Sequence, residues 1–179
     1  VATSANYQKM LGNDADGSVN PAYSKLLNPE NYIDYMLINY YIGNGDWDAN
    51  NWSVGRNRVT NTEGFRFFCW DAETSMTALT ENKIITGTAG NPTAFMQYLK
   101  KNADFKVLMA DRIKMQLLDA GGALTPAVVA ERYEKLADEI ELHVGGRILF
   151  LHRVDVVEVE AGDRIAVGEL GIDRGELRR

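Results

Sequence analysis

The alternation of hydrophobic and polar residues first becomes regular between Pro29 and Tyr41. Apolar side chains recur there at helical spacing, which predicts an amphipathic helix because residues three and four apart share one face. Asn28 is a favourable N-cap, Pro29 suits the first helical position, and Gly43 suits the helix end. The predicted buried face comprises Ile33, Met36, Leu37 and Tyr40.

Two short strands are predicted after this helix. Residues 45–52 are polar and rich in Asp and Asn, which indicates a loop. Residues 52–58 and 65–70 favour strands, joined by a turn through residues 61–64. Along the second strand, Phe65, Phe67 and Cys69 share one face, and Arg66 and Phe68 share the other. We therefore expect both faces of the hairpin to be partly covered, with Cys69 buried as a small apolar residue.

Helical patterns return beyond residue 90. Residues 92–101 predict a short helix, a longer helix ends at Gly121, and a third helix begins with Thr125 as N-cap and Pro126 as its first residue. The expected inward-facing residues are Phe105, Leu108, Met109, Ile113 and Leu117 in the longer helix, and Val129, Tyr133, Leu136, Ala137 and Ile140 in the third. Residues 1–27 are predicted to be irregular. The fold class that follows is α+β and largely helical, with a small β-hairpin.

The last part of the chain differs in composition from the rest. Residues 147–179 hold 6 of the 11 arginines but none of the 8 lysines and none of the 14 asparagines. A change of this kind favours a boundary between two sequences of different origin. We therefore predict a domain over residues 1–146, followed by a separate tail over residues 147–179.

Composition and charge exclude several classes of protein. The 19 basic and 25 acidic residues leave a net charge of −6, which argues against nucleic acid as a partner because no basic surplus drives counterion release. The lone Cys69 excludes an intrachain disulfide, and the only two histidines, His143 and His152, leave little supply for a catalytic triad or a multi-histidine metal site. No run of about 18 apolar residues predicts a membrane span. Arg112 lies among apolar helical positions, where we expect a structural ion pair.

Asp46, Asn51 and Asp71 are the most informative candidates for chemistry. Asp46 and Asn51 lie in the polar loop after the first predicted helix, and Asp71 follows the second predicted strand. Carboxylate and amide oxygens suit Mg²⁺ bound to phosphate, and an Asp outside the metal shell can accept a hydroxyl proton. Protein kinases carry an Asp and an Asn at this separation, with a second metal-binding Asp after the next strands. Spacing alone leaves an ordinary loop open as the alternative, because Asn and Asp are common turn residues.

The residues around these candidates carry a resemblance to a known family. It rests on the segments Asn28-Pro29-Glu30-Asn31-Tyr32, Gly45-Asp46-Trp47 with Asn50-Asn51-Trp52, Gly64-Phe65-Arg66-Phe67-Phe68 and Trp70-Asp71-Ala72-Glu73. Further similar segments are Ala110-Asp111-Arg112 and Gly122-Ala123-Leu124-Thr125-Pro126. From about residue 5 to residue 142 the chain resembles the CotH family, atypical kinase-like proteins named for a spore-coat protein.

The resemblance implies ATP-dependent phosphoryl transfer to Ser or Thr of a protein substrate, with Mg²⁺ (or Mn²⁺) as the metal. Asp46 matches the catalytic Asp, Asn51 the metal-binding Asn of the same loop, and Asp71 the Asp that links the metal to the nucleotide. Glu73 takes the place of a further metal-binding acid. A location outside the cytoplasm or at the cell surface is also implied by the family alone.

The chain also departs from a complete kinase. A phosphate-covering glycine-rich loop and a strand lysine are expected in the N-terminal lobe, and no such motif precedes Asp46. We therefore expect a kinase-like C-terminal lobe that lacks its N-terminal lobe, as in a fragment, and that is inactive alone. The alternatives are a non-catalytic extracytoplasmic binding or assembly module on the same scaffold, and a small metal-dependent hydrolase that uses Asp46, Asp48 and Asp71.

Overall fold

The computed structural model describes residues 3–60, 63–78, 80, 83–84 and 90–144. These residues form helices and one two-stranded antiparallel sheet, so the predicted class, α+β and largely helical, is confirmed. The elements are α1 (Ser4–Met10), α2 (Pro29–Tyr41), β1 (Trp52–Gly55), β2 (Arg66–Cys69), α3 (Pro92–Leu99), α4 (Ala103–Ile113), a π-helical turn (Lys114–Leu118) and α5 (Pro126–Val144). The chain divides into two compact units, Val1–Lys135 and Leu136–Arg179. The boundary predicted at residue 147 lies outside the described residues.

Helix α2 lies at the centre of the first unit and has the bounds that the sequence predicts. The Asn28 side chain accepts a hydrogen bond from the backbone N–H of Asn31 at 2.9 Å, and Pro29 begins the helix. Its predicted face is buried, with Ile33 and Met36 fully inaccessible and Tyr40 partly buried against the core. Burial of this face anchors the loop that follows the helix.

The hairpin is shorter than the sequence predicts. Strand β1 pairs with β2 from Trp52 opposite Cys69 to Gly55 opposite Arg66. The pairing stops there because the Asn57 side chain accepts the backbone N–H of Val59 at 2.8 Å and turns the chain. Residues 61 and 62 of the predicted turn lie outside the described residues.

One face of the hairpin packs against α2. Asn31 accepts the backbone N–H of Phe67 at 2.6 Å and donates to the carbonyl of Phe67 at 3.2 Å, which fixes β2 on the helix. Phe67 packs on the core, but Phe68 is 50% exposed and Cys69 is also exposed. The prediction of a buried Cys69 is therefore wrong, whereas a half-exposed Phe68 agrees with a second face that is only partly covered. Cys69 is the last residue of β2, and although its sulfur contacts Asn39 of α2 at 3.3 Å, the residue as a whole stays exposed.

The prediction that residues 1–27 are irregular is wrong for α1. The Thr3 side chain caps this helix by accepting the backbone N–H of Asn6 at 3.3 Å. Tyr7 and Met10 are buried, and the Tyr7 ring meets Phe105 edge-on at a centroid distance of 6.2 Å. Seven residues carry too little periodicity to predict a helix, so its tertiary contacts stabilise it.

Helix α4 and the π-helical turn present the predicted inner face to the core. Phe105 is fully buried, and Leu108, Met109, Ile113 and Leu117 pack against the core. Arg112 forms an ion pair with Asp34 of α2, with its Nε donating to Asp34 Oδ1 at 2.9 Å. The predicted structural ion pair is confirmed, and it ties α4 to α2.

Helix α5 begins at Pro126 as predicted, but three of the five residues of its predicted inward face are exposed, while Val129 and Ala137 are partly buried. Tyr133 is 66% exposed, Leu136 59% and Ile140 48%. The prediction of an inward face at these positions is wrong. Helical periodicity predicts which side chains share a face, but it does not supply a surface for that face to cover.

Candidate functional site

The candidate site lies where the loop after α2, the start of β1 and the end of β2 come together. Asp46 lies in the loop after α2, Asn51 immediately precedes β1, and Asp71 follows β2. Because β1 and β2 are antiparallel and Trp52 lies opposite Cys69, the start of β1 and the end of β2 lie side by side. The hairpin therefore returns Asp71 to the loop that carries Asp46.

The Asn51 side-chain amide joins the three residues. Its Nδ2 donates to Asp46 Oδ2 at 2.9 Å and to the backbone carbonyl of Asp71 at 3.2 Å. Asp46 and Asn51 are partly buried, whereas Asp71 is exposed. The structure thus brings together the three residues singled out from the sequence, whose roles toward a metal and a nucleotide stay predictions.

Two of these residues adopt left-handed backbone conformations. The φ angles of Asn51 and Asp71 are 51° and 50°. Asn and Asp tolerate this region better than other non-glycine residues, which explains these residue types at both positions. Strained backbone of this kind concentrates at functional sites, where surrounding contacts hold it in place.

The free oxygens of Asn51 and Asp71 suit a hard cation. Both Asn51 hydrogen bonds use Nδ2, so within the described ranges its Oδ1 has no partner, and neither does the Asp71 carboxylate. Among the described residues no group of three or more His, Cys, Asp or Glu side chains is placed to hold a metal. Mg²⁺ needs no such cage, because it commonly binds through one or two protein oxygens plus phosphate oxygens and water. The donor set therefore fits a cation that arrives with a phosphate ligand.

Glu73 lies two residues beyond Asp71 and is exposed. In the part of the chain that the structure describes, it makes no hydrogen bond to Asp46, Asn51 or Asp71. Its role as an additional metal ligand stays a prediction.

Asp48 has a structural role that the sequence did not indicate. The residue is only 6% exposed. Its Oδ1 accepts the backbone N–H of Thr93 at 2.9 Å, and its Oδ2 accepts the Thr93 hydroxyl at 2.6 Å and the Asn91 amide at 3.4 Å. Asp48 therefore caps the start of α3, where the Asn91 side chain makes no cap of its own. The hydrolase alternative fails on this point, because its second carboxylate is directed into the fold.

A network of polar side chains between Asp46 and α2 was not predicted from the sequence. Asn44 donates to Asn39 at 3.0 Å, and the Thr74 hydroxyl donates to Asp46 Oδ1 at 3.0 Å. Asn39 and Asn44 are each 1% exposed, and Asn39 also donates to the Cys69 sulfur at 3.3 Å. The one available signal was Asn39 itself, a polar residue in the otherwise apolar and aromatic second half of α2.

A largely helical α+β domain with an Asp and an Asn after one helix and a second Asp after a hairpin is typical of the catalytic lobe of kinase-like proteins. The family model described as CotH kinase protein matches residues 5–147, and the chain belongs to the CotH family. No curated protein and no solved structure gave a significant match. Among the described helices, none has the length and apolar character needed to cross a membrane.

Proposed function

We propose that Asp46, Asn51 and Asp71 form the metal- and phosphate-binding part of a protein kinase that transfers phosphate from ATP to Ser or Thr of a protein substrate. The observation that carries this proposal is the single Asn51 amide that hydrogen-bonds both the Asp46 carboxylate and the Asp71 carbonyl. It leaves Asn51 Oδ1 and the Asp71 carboxylate without a hydrogen bond among the described residues. The CotH match supports a kinase-like protein of this type.

Each residue has a distinct role in this proposal. Asn51 Oδ1 and the Asp71 carboxylate would hold Mg²⁺ (or Mn²⁺), with Glu73 as a further acid near the same end of β2. A bound cation neutralises phosphate charge and orients the transferred group. Asp46 accepts the proton of the substrate hydroxyl through lone pairs that its two hydrogen bonds leave free, because each carboxylate oxygen has two acceptor sites.

The proposal requires groups from a second lobe. Kinases use a lysine and a covering loop against the nucleotide phosphates. Lys9 lies in α1 and Lys25 lies in a loop, so neither occupies the strand position of that lysine. We therefore expect an N-terminal lobe as a partner and no useful activity from this chain alone. The family likeness also motivates a location outside the cytoplasm or at the cell surface.

The test uses the longest natural polypeptide that contains this chain. We expect it to transfer radiolabelled γ-phosphate from ATP to casein, used as a general Ser/Thr acceptor, in the presence of Mg²⁺ or Mn²⁺. Asp71→Asn should abolish the transfer while the melting temperature stays within a few degrees, since Asp71 is exposed. The matched control Asp111→Asn changes an exposed acid on α4 and should retain full activity.

Full activity of Asp71→Asn would contradict the metal assignment. Absence of both ATP binding and phosphate transfer in the unaltered protein would reject the kinase proposal and favour a non-catalytic binding module.

A further inference from the structure

The Asp46 carboxylate is held by a hydrogen bond at each oxygen. Asn51 donates to Oδ2 at 2.9 Å, and the Thr74 hydroxyl donates to Oδ1 at 3.0 Å. A single donor would leave the carboxylate free to rotate about its Cβ–Cγ bond, whereas two donors on different oxygens fix its plane. Thr74 is therefore placed to determine the direction of the remaining Asp46 lone pairs.

Backbone contacts fix the position of Thr74. Its carbonyl accepts the backbone N–H of Gly45 at 3.1 Å, and the N–H of Met76 donates to the carbonyl of Ile42 at 2.7 Å. Met76 adopts a φ of 54°, which is unusual for a long side chain and is held by this pairing. The segment around Thr74 is thus bound to the loop that carries Asp46.

The Thr74 hydroxyl has two acceptors within reach, and Asp46 is the closer one. Asn44 Oδ1 lies 3.4 Å from Thr74 Oγ1, farther than Asp46 Oδ1 at 3.0 Å, and the single hydroxyl proton serves the closer acceptor. Asn44 is itself fixed by its bond to Asn39, whose Nδ2 donates to the Tyr35 carbonyl at 2.8 Å. Asn44 is therefore held by α2, and the Thr74 hydroxyl proton is left for Asp46.

Gly45 allows the close approach of these two segments. A Cβ atom at this position would lie 3.0 Å from Thr74 Oγ1 and 3.3 Å from the Thr74 carbonyl oxygen. A side chain at Gly45 would force Thr74 to shift by a few tenths of an ångström. Replacement of Gly45 therefore perturbs the contact between Thr74 and Asp46 without removing the hydroxyl.

We propose that Thr74 is a positioning residue, which orients the Asp46 carboxylate toward the hydroxyl of the protein substrate. The inference rests on the proposed kinase function and adds to it a residue outside the Asp46, Asn51 and Asp71 set. Because the hydroxyl carries the effect, Ser at this position should retain it and Val should not.

The activity test uses the same longest natural polypeptide, with ATP and casein. Thr74→Val should lower kcat by on the order of tenfold to a hundredfold, with KM for ATP and casein within about twofold, because a misplaced base slows the proton transfer and leaves binding intact. Thr74→Ser should stay within about threefold of the unaltered kcat, and Gly45→Ala, which shifts the hydroxyl but keeps it, should lower kcat less than Thr74→Val does. The matched control Thr60→Val, at an exposed loop position, should change neither constant.

A kcat of Thr74→Val equal to or above that of the unaltered protein would overturn the inference, since a contact that blocks Asp46 would produce an increase. A loss that Ser does not rescue would also overturn it, because the methyl group and not the hydroxyl would then carry the effect.

A second measurement does not depend on activity. Hydrogen exchange of the Asn51 side-chain amide, followed by NMR on this chain, should accelerate at least about fivefold in Thr74→Val and remain unchanged in Thr74→Ser and Thr60→Val, because Asp46 is the acceptor of the Asn51 amide. If the unaltered protein neither binds ATP nor transfers phosphate, the kinase proposal fails, whatever the exchange rates are. Unchanged exchange in Thr74→Val would overturn the positioning of Asp46 by Thr74, whatever the activity.

Discussion

Asp48 binds Thr93 through both of its carboxylate oxygens, at 2.9 Å to the backbone N–H and 2.6 Å to the hydroxyl. The two residues are far apart in sequence, and their contact fixes the start of α3 against the loop after α2. Trp47, fully buried between Asp46 and Asp48, packs on Tyr35 and Tyr40 with centroid distances of 5.7 and 5.6 Å. Along these three residues the loop thus alternates between a partly exposed acid, a core residue and a capping acid.

Asp48→Ala should lower the free energy of unfolding by about 3 kcal/mol, because it removes charge-assisted hydrogen bonds and leaves buried Thr93 donors without an acceptor. Urea unfolding monitored by tryptophan fluorescence measures this change. Asp111→Ala, on an exposed face of α4, is the matched control and should stay within about 0.5 kcal/mol of the unaltered chain. Equal stabilities of the two variants would contradict the capping role of Asp48.

Cys69 should react slowly with alkylating reagents. Although the residue is exposed, its sulfur lies against Asn39, and burial of the thiol raises its pKa while the Asn39 hydrogen bond opposes the increase. Only the thiolate reacts, so the pH midpoint of iodoacetamide modification should lie above the roughly 8.5 of an unhindered cysteine. The same titration in urea should restore the ordinary midpoint. A native midpoint below that of the unfolded chain would contradict this prediction.

The chain should lose stability at alkaline pH. Burial raises the pKa of Tyr7 and of Tyr40 to about 12, and it also raises the pKa of Tyr32 and Tyr35. These hydroxyls keep their protons in the folded state where the unfolded chain has lost them, so their contribution is complete below about pH 10 and declines as pH rises toward 12.

Urea unfolding at several pH values measures this decline, and Tyr40→Phe should make it shallower because one raised pKa is removed. A stability that is constant from pH 10 to 12 would contradict the assignment.

Deletion of residues 147–179 should leave the melting temperature within a few degrees. The prediction rests on the composition of this segment, which lacks the lysines and asparagines found in the rest of the chain. Differential scanning calorimetry of the full chain and of residues 1–146 is the measurement. A large loss of stability would show that the tail completes the fold, for example as a third strand of the hairpin.

Local patterns in the sequence were sufficient to predict α2, α3, α4 and the beginning of α5. For α2, the cap at Asn28, the proline at Pro29 and the apolar face around Ile33 all act within a few residues of each other. Interactions of this range are encoded directly in residue order. The three candidate site residues were likewise predicted from their residue types and their order along the chain.

Only the tertiary structure decided which of these residues meet. Asp46 and Asp48 are the same residue type in the same loop. Asp46 nevertheless accepts hydrogen bonds from Asn51 and Thr74, whereas Asp48 accepts them from Thr93. The sequence also predicted neither the exposed face of α5 nor the contact of Thr74 with Asp46. Hydrophobic periodicity determines which side chains share a face, whereas the partners of a polar group depend on which distant segments the packing brings within hydrogen-bond distance.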